Sequence, residues 1–317
     1  MAAKRQAALI CNSRSRRGKE WFPAAKRFLL SEGFDLAIAA NLRDPRRVRS
    51  LTEQAVQRGL PLVIVGGGDG TMSSAVAVLR KSQATMGVLP MGTGNAFARD
   101  LGIPSDVEGA CRILIQGKPH DVDLGMAGGR NFVNVATVGL STRIAEELTD
   151  EAKKRFGRFV YAIAVARAIP TLRPFHATLA KEGGVETFET LQVVFGSGRF
   201  HAGPFPLNPD AEITDHMLNG YAVKSTSKGA LLKYAFGLCT GRLVHLPEIQ
   251  KFVVAEATLS TVPRQRVVVD GEIRGHTPVD LRIDPGAVRV MVGPDFEAAS
   301  PGGGQRRREE PAAEAIT

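Results

Sequence analysis

The chain has 317 residues, enough for two domains, and 44% of them are hydrophobic, which excludes a wholly disordered protein. Its 41 Lys and Arg residues outnumber its 32 Asp and Glu residues, so the formal charge of +9 favours acidic partners such as nucleic acid, phosphorylated ligands or anionic membranes. The three cysteines (Cys11, Cys111 and Cys239) are widely spaced, which argues against a disulfide framework or a structural zinc site. The sequence has no signal peptide and no run of roughly 18 apolar residues, so we expect a cytoplasmic protein without a transmembrane segment.

Short β-rich runs alternate with helical patterns in the first 90 residues. Asp44 is a fair N-cap for the second helix, and Pro45 lies in its first turn. This alternation predicts an N-terminal, Rossmann-like parallel sheet with helices on both faces. The predicted strands are 7–11, 34–40, 62–65 and 86–89, and the predicted helices are 19–31, 44–58 and 71–81.

The texture changes after residue 123, where short strands punctuated by Gly, Pro and Asp predict an antiparallel, β-sandwich-like domain. We therefore expect a nucleotide-binding α/β domain over 1–123, a β-rich lipid-substrate domain over 124–296 and a disordered tail over 297–317. The predicted strands are 131–138, 176–181, 187–195, 220–223, 251–261, 265–269, 279–283 and 288–292, and helices are expected at 141–154, 158–169 and 228–240.

A glycine loop follows the third strand, in the segment Val63-Ile-Val-Gly-Gly-Gly-Asp-Gly-Thr71. Glycine lets backbone N–H groups approach a ligand, and the helix that follows adds a partial positive charge, so this pattern predicts a phosphate cradle. It matches neither the Walker A loop nor G-x-G-x-x-G, and a tight turn without a ligand is the alternative. Asp69 would repel bound phosphates unless a cation lies between, so we expect it to hold Mg²⁺ or to accept the acceptor's proton.

A second glycine loop follows the next strand, in the segment Leu89-Pro-Met-Gly-Thr-Gly-Asn-Ala-Phe-Ala-Arg99. Gly92 and Gly94 open the backbone, Thr93 offers a hydroxyl, and Asn95 can cap the next helix. Loops that follow adjacent parallel strands face one crevice, so the two loops together predict a ligand site.

The ordered set of motifs resembles the diacylglycerol kinase catalytic domain, a family of bacterial lipid kinases, sphingosine kinases and ceramide kinases. The resemblance rests on GGGDGT followed by LPMGTGNAFAR and extends over roughly 7–295. Three further segments resemble family motifs: NSRSRRGK from Asn12, DVDLG from Asp121 with NFVNVATVG from Asn131, and VVDGE from Val268.

The resemblance implies an ATP-dependent lipid kinase of phospholipid biosynthesis. Asp270 matches the family's general base, and Asp69 is the second catalytic carboxylate that it implies. Without the family match, Asp270-Gly271 is also an ordinary hairpin turn, and Glu272 either shares the role or brackets that turn. The residues implied to bind ATP are Gly67, Gly68, Asp69, Gly70, Thr71, Gly92, Thr93 and Asn95.

The resemblance also implies a structural Mg²⁺ site in the segment from Pro209 to Leu218. Asp215 would supply a carboxylate, and Glu212 and Met217 would supply backbone carbonyls, although His216 replaces the family's usual Gly. Asp123 matches a family residue of the Mg²⁺–water network around Asp69, with a strand-end Asp bonded to a turn as the alternative.

Three positions depart from the family pattern, because Ser73, Ser74 and Ala96 replace an Asn, a Glu and an Asp. The loss of two acidic groups motivates a non-catalytic nucleotide-binding regulatory protein as one alternative. A soluble kinase of the NAD kinase kind is another, since it shares the first glycine loop. Asp69, Thr71, Thr93 and Asp270 are kept, which favours an active kinase.

Basic side chains follow the first two strands, where they are expected to grip triphosphate, to press against anionic lipid or to form a solvated rim. With three Tyr and one Trp there are few stacking platforms, so we expect no nucleic-acid partner. The expected partner is a lipid substrate reached by transient, peripheral contact with an anionic membrane, and the sequence leaves a monomer and a homodimer open. The basic residues are Arg14, Arg16, Arg17 and Lys19, then Arg43, Arg46, Arg47 and Arg49.

Overall fold

The structure is a computed structural model that describes residues 5–140, 173–202, 205–206, 208, 210–224 and 246–298. The first elements are β1 (Arg5–Asn12), α1 (Gly18–Ser31), β2 (Phe34–Leu42), α2 (Arg46–Gln57), β3 (Leu62–Gly67), α3 (Asp69–Leu79), β4 (Thr85–Pro90), α4 (Ala96–Asp100), α5 (Val107–Gln116) and β5 (Lys118–Ala127). The described elements that follow are the strands β6 (Arg130–Phe132), β7 (Val135–Gly139), β8 (Phe175–Lys181), β9 (Gly184–Thr190), β10 (Gln192–Gly196), β11 (Phe200–Ala202), β12 (Phe205–Pro206), β13 (Leu218–Val223), β14 (Ile249–Val254), β15 (Glu256–Val262), β16 (Arg266–Val269), β17 (Glu272–His276) and β18 (Val279–Val292).

The chain divides into two compact units. Among the described residues, the first comprises 5–124, 210–217 and 284–298, and the second comprises those from 125 to 208 and from 218 to 283. The first unit thus contains two segments from beyond the predicted boundary at residue 123. The predicted helices at 141–154, 158–169 and 228–240, and the predicted tail beyond residue 298, lie outside the described residues.

The first unit contains a parallel sheet in the order β2-β1-β3-β4, extended by the end of β18, where Val290 pairs in parallel with Met86. The apolar runs of β1 and β3 form its buried centre, as expected for strands covered on both faces. Strand β2 lies on one side of β1 and β3 lies on its other side, so the direction in which strands are added reverses at β1. The carboxyl ends of β1 and β3 therefore form the switch point at which such sheets bind ligands.

The helices of the first unit bury one stripe each. In α1 the stripe is Trp21, Ala25 and Leu29, which recur every four residues. In the described part of the chain α1 packs against α5, and α2 packs against α3, so the helices form two pairs. These features confirm the predicted α/β fold.

The second unit is built from antiparallel sheets. One has the order β14-β13-β10-β7-β16-β17, and the other runs from the start of β18 through β15 and β8 to β9. Alternate residues of both sheets share one apolar core, in which the rings of Phe195 and Phe252 lie 4.9 Å apart. The sandwich predicted from the short strands is confirmed.

No helix among the described residues is long and apolar enough to cross a membrane. Cys11 and Cys111 are buried free thiols, and burial raises the pKa of both, that of Cys111 to about 12. Cys239 lies outside the described residues.

Candidate active site

A hydrogen bond between Asn12 and Thr71 connects the loop that follows β1 to the glycine loop that follows β3. Asn12 ends β1, and its Nδ2 donates to the hydroxyl oxygen of Thr71 in the first turn of α3, 3.2 Å away. Its Oδ1 accepts from the backbone N–H of Arg14, which turns the chain sharply after β1. Thr71 is buried, so the structure places its hydroxyl as a link between two loops.

The glycine loops that follow β3 and β4 touch backbone to backbone. A Cβ on Gly92 would lie 2.5 Å from the Cα of Gly68, and one on Gly67 would lie 2.4 Å from the Cβ of Thr71. No side chain larger than hydrogen fits at Gly67 or Gly92 without a shift of the loops. The structure therefore brings the two predicted loops into one site.

Gly70 differs from these glycines, because nothing lies within 4 Å of the position its Cβ would take. It is the second residue of α3 and is exposed, so packing within the described residues does not require a glycine there. Thr93 in the second loop is exposed as well. These two positions are open to a ligand at the helix N-terminus.

Asn95 shapes the second loop from within. It has left-handed backbone torsions (φ 51°), and its Oδ1 accepts from the N–H of Gly92 at 2.8 Å while its Nδ2 donates to the carbonyl of Gly92 at 3.0 Å. It occupies the N-cap position of α4, but its side chain makes no capping bond. The predicted cap is wrong, because the amide is used to close the Gly92 turn.

Asp69 projects from the first loop into the second. Its Oδ1 accepts from the N–H of Phe97 at 3.4 Å, and a Cβ on Gly94 would lie 3.0 Å from its Oδ2. Burial raises the pKa of the Asp69 carboxyl, and the N–H groups of Phe97, Ala96 and Asn95 oppose that rise. The carboxylate is therefore held by the second loop, and its charge is only partly compensated there.

In the second unit, Asp270 follows β16 and is enclosed by the chain that leads into β7. Its Oδ1 accepts from the N–H groups of Asn134 (3.0 Å) and Val135 (3.1 Å), and its Oδ2 accepts from Val133 (3.0 Å). Its own N–H donates to the carbonyl of Val135, and its φ of 46° is left-handed. Three converging donors stabilise the negative charge and fix the plane of the carboxylate.

Asp123 is buried in the first unit and is held by His216. The imidazole Nδ1 lies 3.0 Å from both carboxylate oxygens, and the backbone N–H groups of His216 and Gly286 donate to them at 2.8 Å. His216 has a φ of 60°, a conformation in which glycine is unstrained. The Mg²⁺–water network expected to join Asp123 to Asp69 stays a prediction.

The loop of the predicted structural metal site is closed by its own hydrogen bonds. Asp215 accepts from the N–H of Glu212 at 3.1 Å and from that of Met217 at 2.9 Å, and its own N–H donates to the Glu212 carbonyl. The described residues contain no group of three or more His, Cys, Asp or Glu placed to hold a metal ion. A site made of one carboxylate and two backbone carbonyls is not such a group, so the metal site at Asp215, Glu212 and Met217 stays a prediction.

Two protein-family models match most of the chain. Residues 6–127 match the diacylglycerol kinase catalytic domain, and residues 134–292 match the YegS C-terminal NAD kinase beta sandwich-like domain. The chain is also 33% identical over 274 residues to "Probable lipid kinase YegS-like" from Klebsiella pneumoniae (strain 342), covering 86% of this chain and 91% of that protein. The chain belongs to the diacylglycerol kinase family. The resemblance seen in the two glycine loops is thereby confirmed.

Other relatives agree with this membership. A diacylglycerol kinase from Mycobacterium tuberculosis (strain CDC 1551 / Oshkosh) is 29% identical over 255 residues, covering 78% of this chain and 82% of its own. A crystal structure of a diacylglycerol kinase from Bacillus anthracis str. Sterne shares the fold, with a TM-score of 0.75 at 22% identity over 93% of this chain and 99% of its own. Membership of this family indicates a kinase.

Several contacts at the site were not predicted from the sequence. The Asn12–Thr71 bond, the imidazole on Asp123 and the N–H groups around Asp270 each join residues far apart in the chain. The family motifs marked both ends of these contacts, but no local pattern paired them. Gly286, whose N–H donates to Asp123, lies in no family motif, and its only sequence signal is the Pro285-Gly286 pair.

Proposed function

We propose that this protein is an ATP- and Mg²⁺-dependent lipid kinase that transfers the γ-phosphoryl group to a hydroxyl of a diacylglycerol- or sphingoid-type acceptor. The observation that carries the proposal is the pair of touching glycine loops at the switch point of the parallel sheet, in a chain of the diacylglycerol kinase family. Phosphoryl transfer depends mainly on positioning and on charge stabilisation, and such loops supply both.

The open positions of the loops are proposed to meet ATP. The N-terminus of α3 presents backbone N–H groups and a partial positive charge, which suit phosphate oxygens. Gly70 lets phosphate approach that helix end, and the exposed hydroxyl of Thr93 donates from the second loop. Thr71 and Asn95 act indirectly, because their side chains hold the loops in place.

Mg²⁺ is proposed to bind beside Asp69. Burial raises the pKa of this carboxyl, so a cation beside it would offset the cost of keeping it ionised. When bound, Mg²⁺ supplies positive charge that neutralises the phosphates. In this proposal Asp69 has two roles. It orders the second glycine loop by accepting from the Phe97 N–H, and it supplies the negative charge that holds Mg²⁺ beside the phosphates.

Asp270 is proposed to receive the proton of the acceptor hydroxyl. The three N–H donors orient its carboxylate, which suits a group that accepts a hydrogen bond from the hydroxyl as it attacks. A carboxylate of ordinary basicity suffices for this role because the transition state of phosphoryl transfer is loose.

Replacing Gly70 with alanine is expected to separate ATP binding from folding. Alanine in a helix is favoured over glycine by roughly 0.5–1 kcal/mol, and the new Cβ meets no protein atom, so the unfolding temperature should stay equal or rise. The methyl group would crowd the phosphates, and we expect ATP affinity to fall at least about tenfold by calorimetry. Gly92→Ala, which collides with Gly68, should lower both quantities. Wild-type ATP affinity in Gly70→Ala would contradict this role.

We propose that the loop around Asp215 is stable without a structural metal. Backbone N–H groups bind the Asp215 carboxylate, and His216 binds that of Asp123. We expect EDTA to change the unfolding temperature of the ligand-free protein by less than about 1 °C. His216→Gly keeps the left-handed backbone but removes the imidazole from buried Asp123, so it should unfold earlier and be stabilised by added Mg²⁺. A drop of several degrees in wild type with EDTA would instead support the metal site.

Lipid access is proposed to occur at a membrane surface. Arg14, Arg16, Arg43, Arg46 and Arg47 are exposed after β1 and β2, at the carboxyl edge of the parallel sheet, and none forms an ion pair with the described residues. Each basic residue near an anionic surface contributes about 1 kcal/mol of attraction. These side chains therefore suit a protein that visits anionic lipid from water.

The proposal is tested by incubating the purified protein with γ-labelled ATP and Mg²⁺ against mixed micelles of diacylglycerol, sphingoid base, ceramide, monoacylglycerol and polyprenol, with NAD in a parallel reaction. Label on one of the lipids is expected. Label on NAD would move the protein to the soluble-kinase class. ATP binding without transfer would favour the regulatory alternative that Ser73, Ser74 and Ala96 suggest.

A further inference from the structure

The inference concerns Asn134, which lies beside Asp270 at one end of the six-stranded sheet. Asn134 immediately precedes β7, and Asp270 immediately follows β16, the antiparallel neighbour of β7. Its N–H donates to Asp270 Oδ1 and its carbonyl accepts from the N–H of Ser197 at 3.2 Å. Both backbone groups are engaged, so the position of this residue is fixed.

The side chain of Asn134, in contrast, contains an unsatisfied polar atom. The residue is only 6% exposed, and its Oδ1 is buried without a hydrogen-bond partner among the described residues. An unpaired buried amide oxygen costs about 1–3 kcal/mol, and most buried polar side-chain atoms in native proteins have a partner. An unpaired amide next to the carboxylate proposed to receive the acceptor's proton indicates a group that arrives with the substrate.

The surroundings of Asn134 are rigid enough for such a role. Ser197, itself buried, donates its hydroxyl to the carbonyl of Val133 at 3.1 Å, and Val133 donates its N–H to Asp270. The segment that carries the amide is therefore held from both sides by hydrogen bonds. A binding group placed on such a segment loses little conformational entropy when it meets its ligand.

Resting on the proposed lipid-kinase function, we propose that Asn134 is a specificity-determining residue that binds a second polar group of the acceptor, adjacent to the hydroxyl that Asp270 contacts. A hydroxyl donates one hydrogen bond, and in the proposed reaction it donates to Asp270. Asn134 must then meet another atom of the lipid. Because the unpaired atom is the amide oxygen, which only accepts, the partner is a donor: an amine, an amide N–H or a second hydroxyl. Sphingoid bases and monoacylglycerols carry such a donor, whereas a diacylglycerol has only ester oxygens beside its hydroxyl and a polyprenol has an isolated hydroxyl.

Thr137 offers a matched control in the same strand. Its hydroxyl oxygen is also buried without a hydrogen-bond partner among the described residues, and the residue is 4% exposed. It lies within β7, paired with Val194 on one side and Val268 on the other, two residues beyond Val135 at the strand end. Thr137→Val removes a buried polar atom that forms no hydrogen bond with Asp270.

The experiment compares kcat and KM for sphingosine, which has an amine and a second hydroxyl beside the reacting one, and for farnesol in wild type, Asn134→Leu and Thr137→Val. Asn134→Leu should lower kcat/KM for sphingosine about ten- to a hundredfold and change that for farnesol by less than about threefold. Thr137→Val should leave the ratio of the two substrates unchanged. An equal loss for both substrates in Asn134→Leu would show that Asn134 only supports Asp270, and no loss would show that its amide meets no substrate; either result overturns the proposal.

A binding readout keeps the test independent of catalysis. The side-chain amide resonance of Asn134, assigned by its loss in Asn134→Leu, should shift when sphingosine is added and should not shift with farnesol. If wild type phosphorylates none of the lipids in the mixed-micelle test, the proposed kinase function fails, and this resonance still decides the role of Asn134. An amide signal that responds to neither lipid, as expected if water alone meets it, would overturn the proposal.

Discussion

Asp270→Asn is expected to lower kcat for lipid phosphorylation by at least about a hundredfold, the lower end of what a general base contributes. The amide has no negative charge with which to receive the acceptor's proton. In the wild type, Oδ1 accepts from the N–H groups of Asn134 and Val135, and Oδ2 accepts from that of Val133. The asparagine NH₂ replaces one of these oxygens, so it places a donor against at least one backbone N–H donor. We therefore also expect a loss of about 1–3 kcal/mol in the free energy of unfolding.

The effect on catalysis can be separated from the effect on stability. ATP affinity, measured well below the unfolding temperature, should be unchanged in Asp270→Asn, because the proposed ATP contacts lie in the first unit. Asp280→Asn makes the same chemical change at an exposed carboxylate of the second unit and should alter neither activity nor stability. Activity of Asp270→Asn within tenfold of wild type would remove Asp270 from the reaction.

Asp69→Asn is expected to abolish at least about 99% of the activity without destabilising the ligand-free protein at neutral pH. Burial is the largest influence on the Asp69 carboxyl and raises its pKa above the ordinary Asp value of about 4. The folded state therefore favours the protonated Asp69 carboxyl more strongly than the unfolded state does. The resulting contribution to stability is fully present below the unfolded-state pKa and is lost as pH rises through the folded-state pKa.

This sign gives a measurable pH dependence. The unfolding temperature of Asp69→Asn relative to wild type should rise as pH increases from about 4 towards neutrality, because only wild type has to ionise a partly buried group. Mg²⁺ with ATP should stabilise wild type more than the variant. Asp44→Asn, at an exposed carboxylate that accepts from the Arg46 N–H, serves as the control. A variant that unfolds earlier than wild type at pH 7 would show that the Phe97 contact outweighs the cost of burial.

The sequence predicted the first four strands and three helices well, because their signals are local. The apolar runs of β1 and β3 are short and continuous, and the buried stripe of α1 recurs every four residues. Helix α5 was missed although its pattern is present: Ala110, Cys111 and Leu114 are buried, and Asp106 caps it by accepting from the Gly109 N–H. A search for caps followed by apolar spacing would have found it.

Other misses have causes that no local pattern carries. The single strand predicted over 131–138 is two strands, because the N–H groups of Val133 and Asn134 turn to Asp270, more than a hundred residues away. The two strands predicted over 279–283 and 288–292 are one. Strand β18 continues through Pro285 and Gly286, although Gly286 has a left-handed φ of 55°, and it is held by pairing with β15 before this point, by pairing with β4 after it and by the bond from Gly286 to Asp123.

In the candidate site, too, local motifs were predictive and contacts between distant segments were not. The motifs predicted which residues matter, and the two glycine loops do meet. They did not predict that Asn95 and Thr71 would be committed to holding loops, or that His216 would bind Asp123. These assignments depend on side-chain geometry between distant segments, which motif spacing alone does not contain.

The most direct test of phosphoryl transfer to lipid measures ADP released and phospholipid formed in the same reaction, with and without a lipid acceptor. A lipid kinase should release ADP only when lipid is present and should form one phospholipid for each ADP. Both products should be lost in Asp69→Asn and Asp270→Asn. Bound ATP with no ADP, or ADP release that is independent of lipid, would contradict the proposed function.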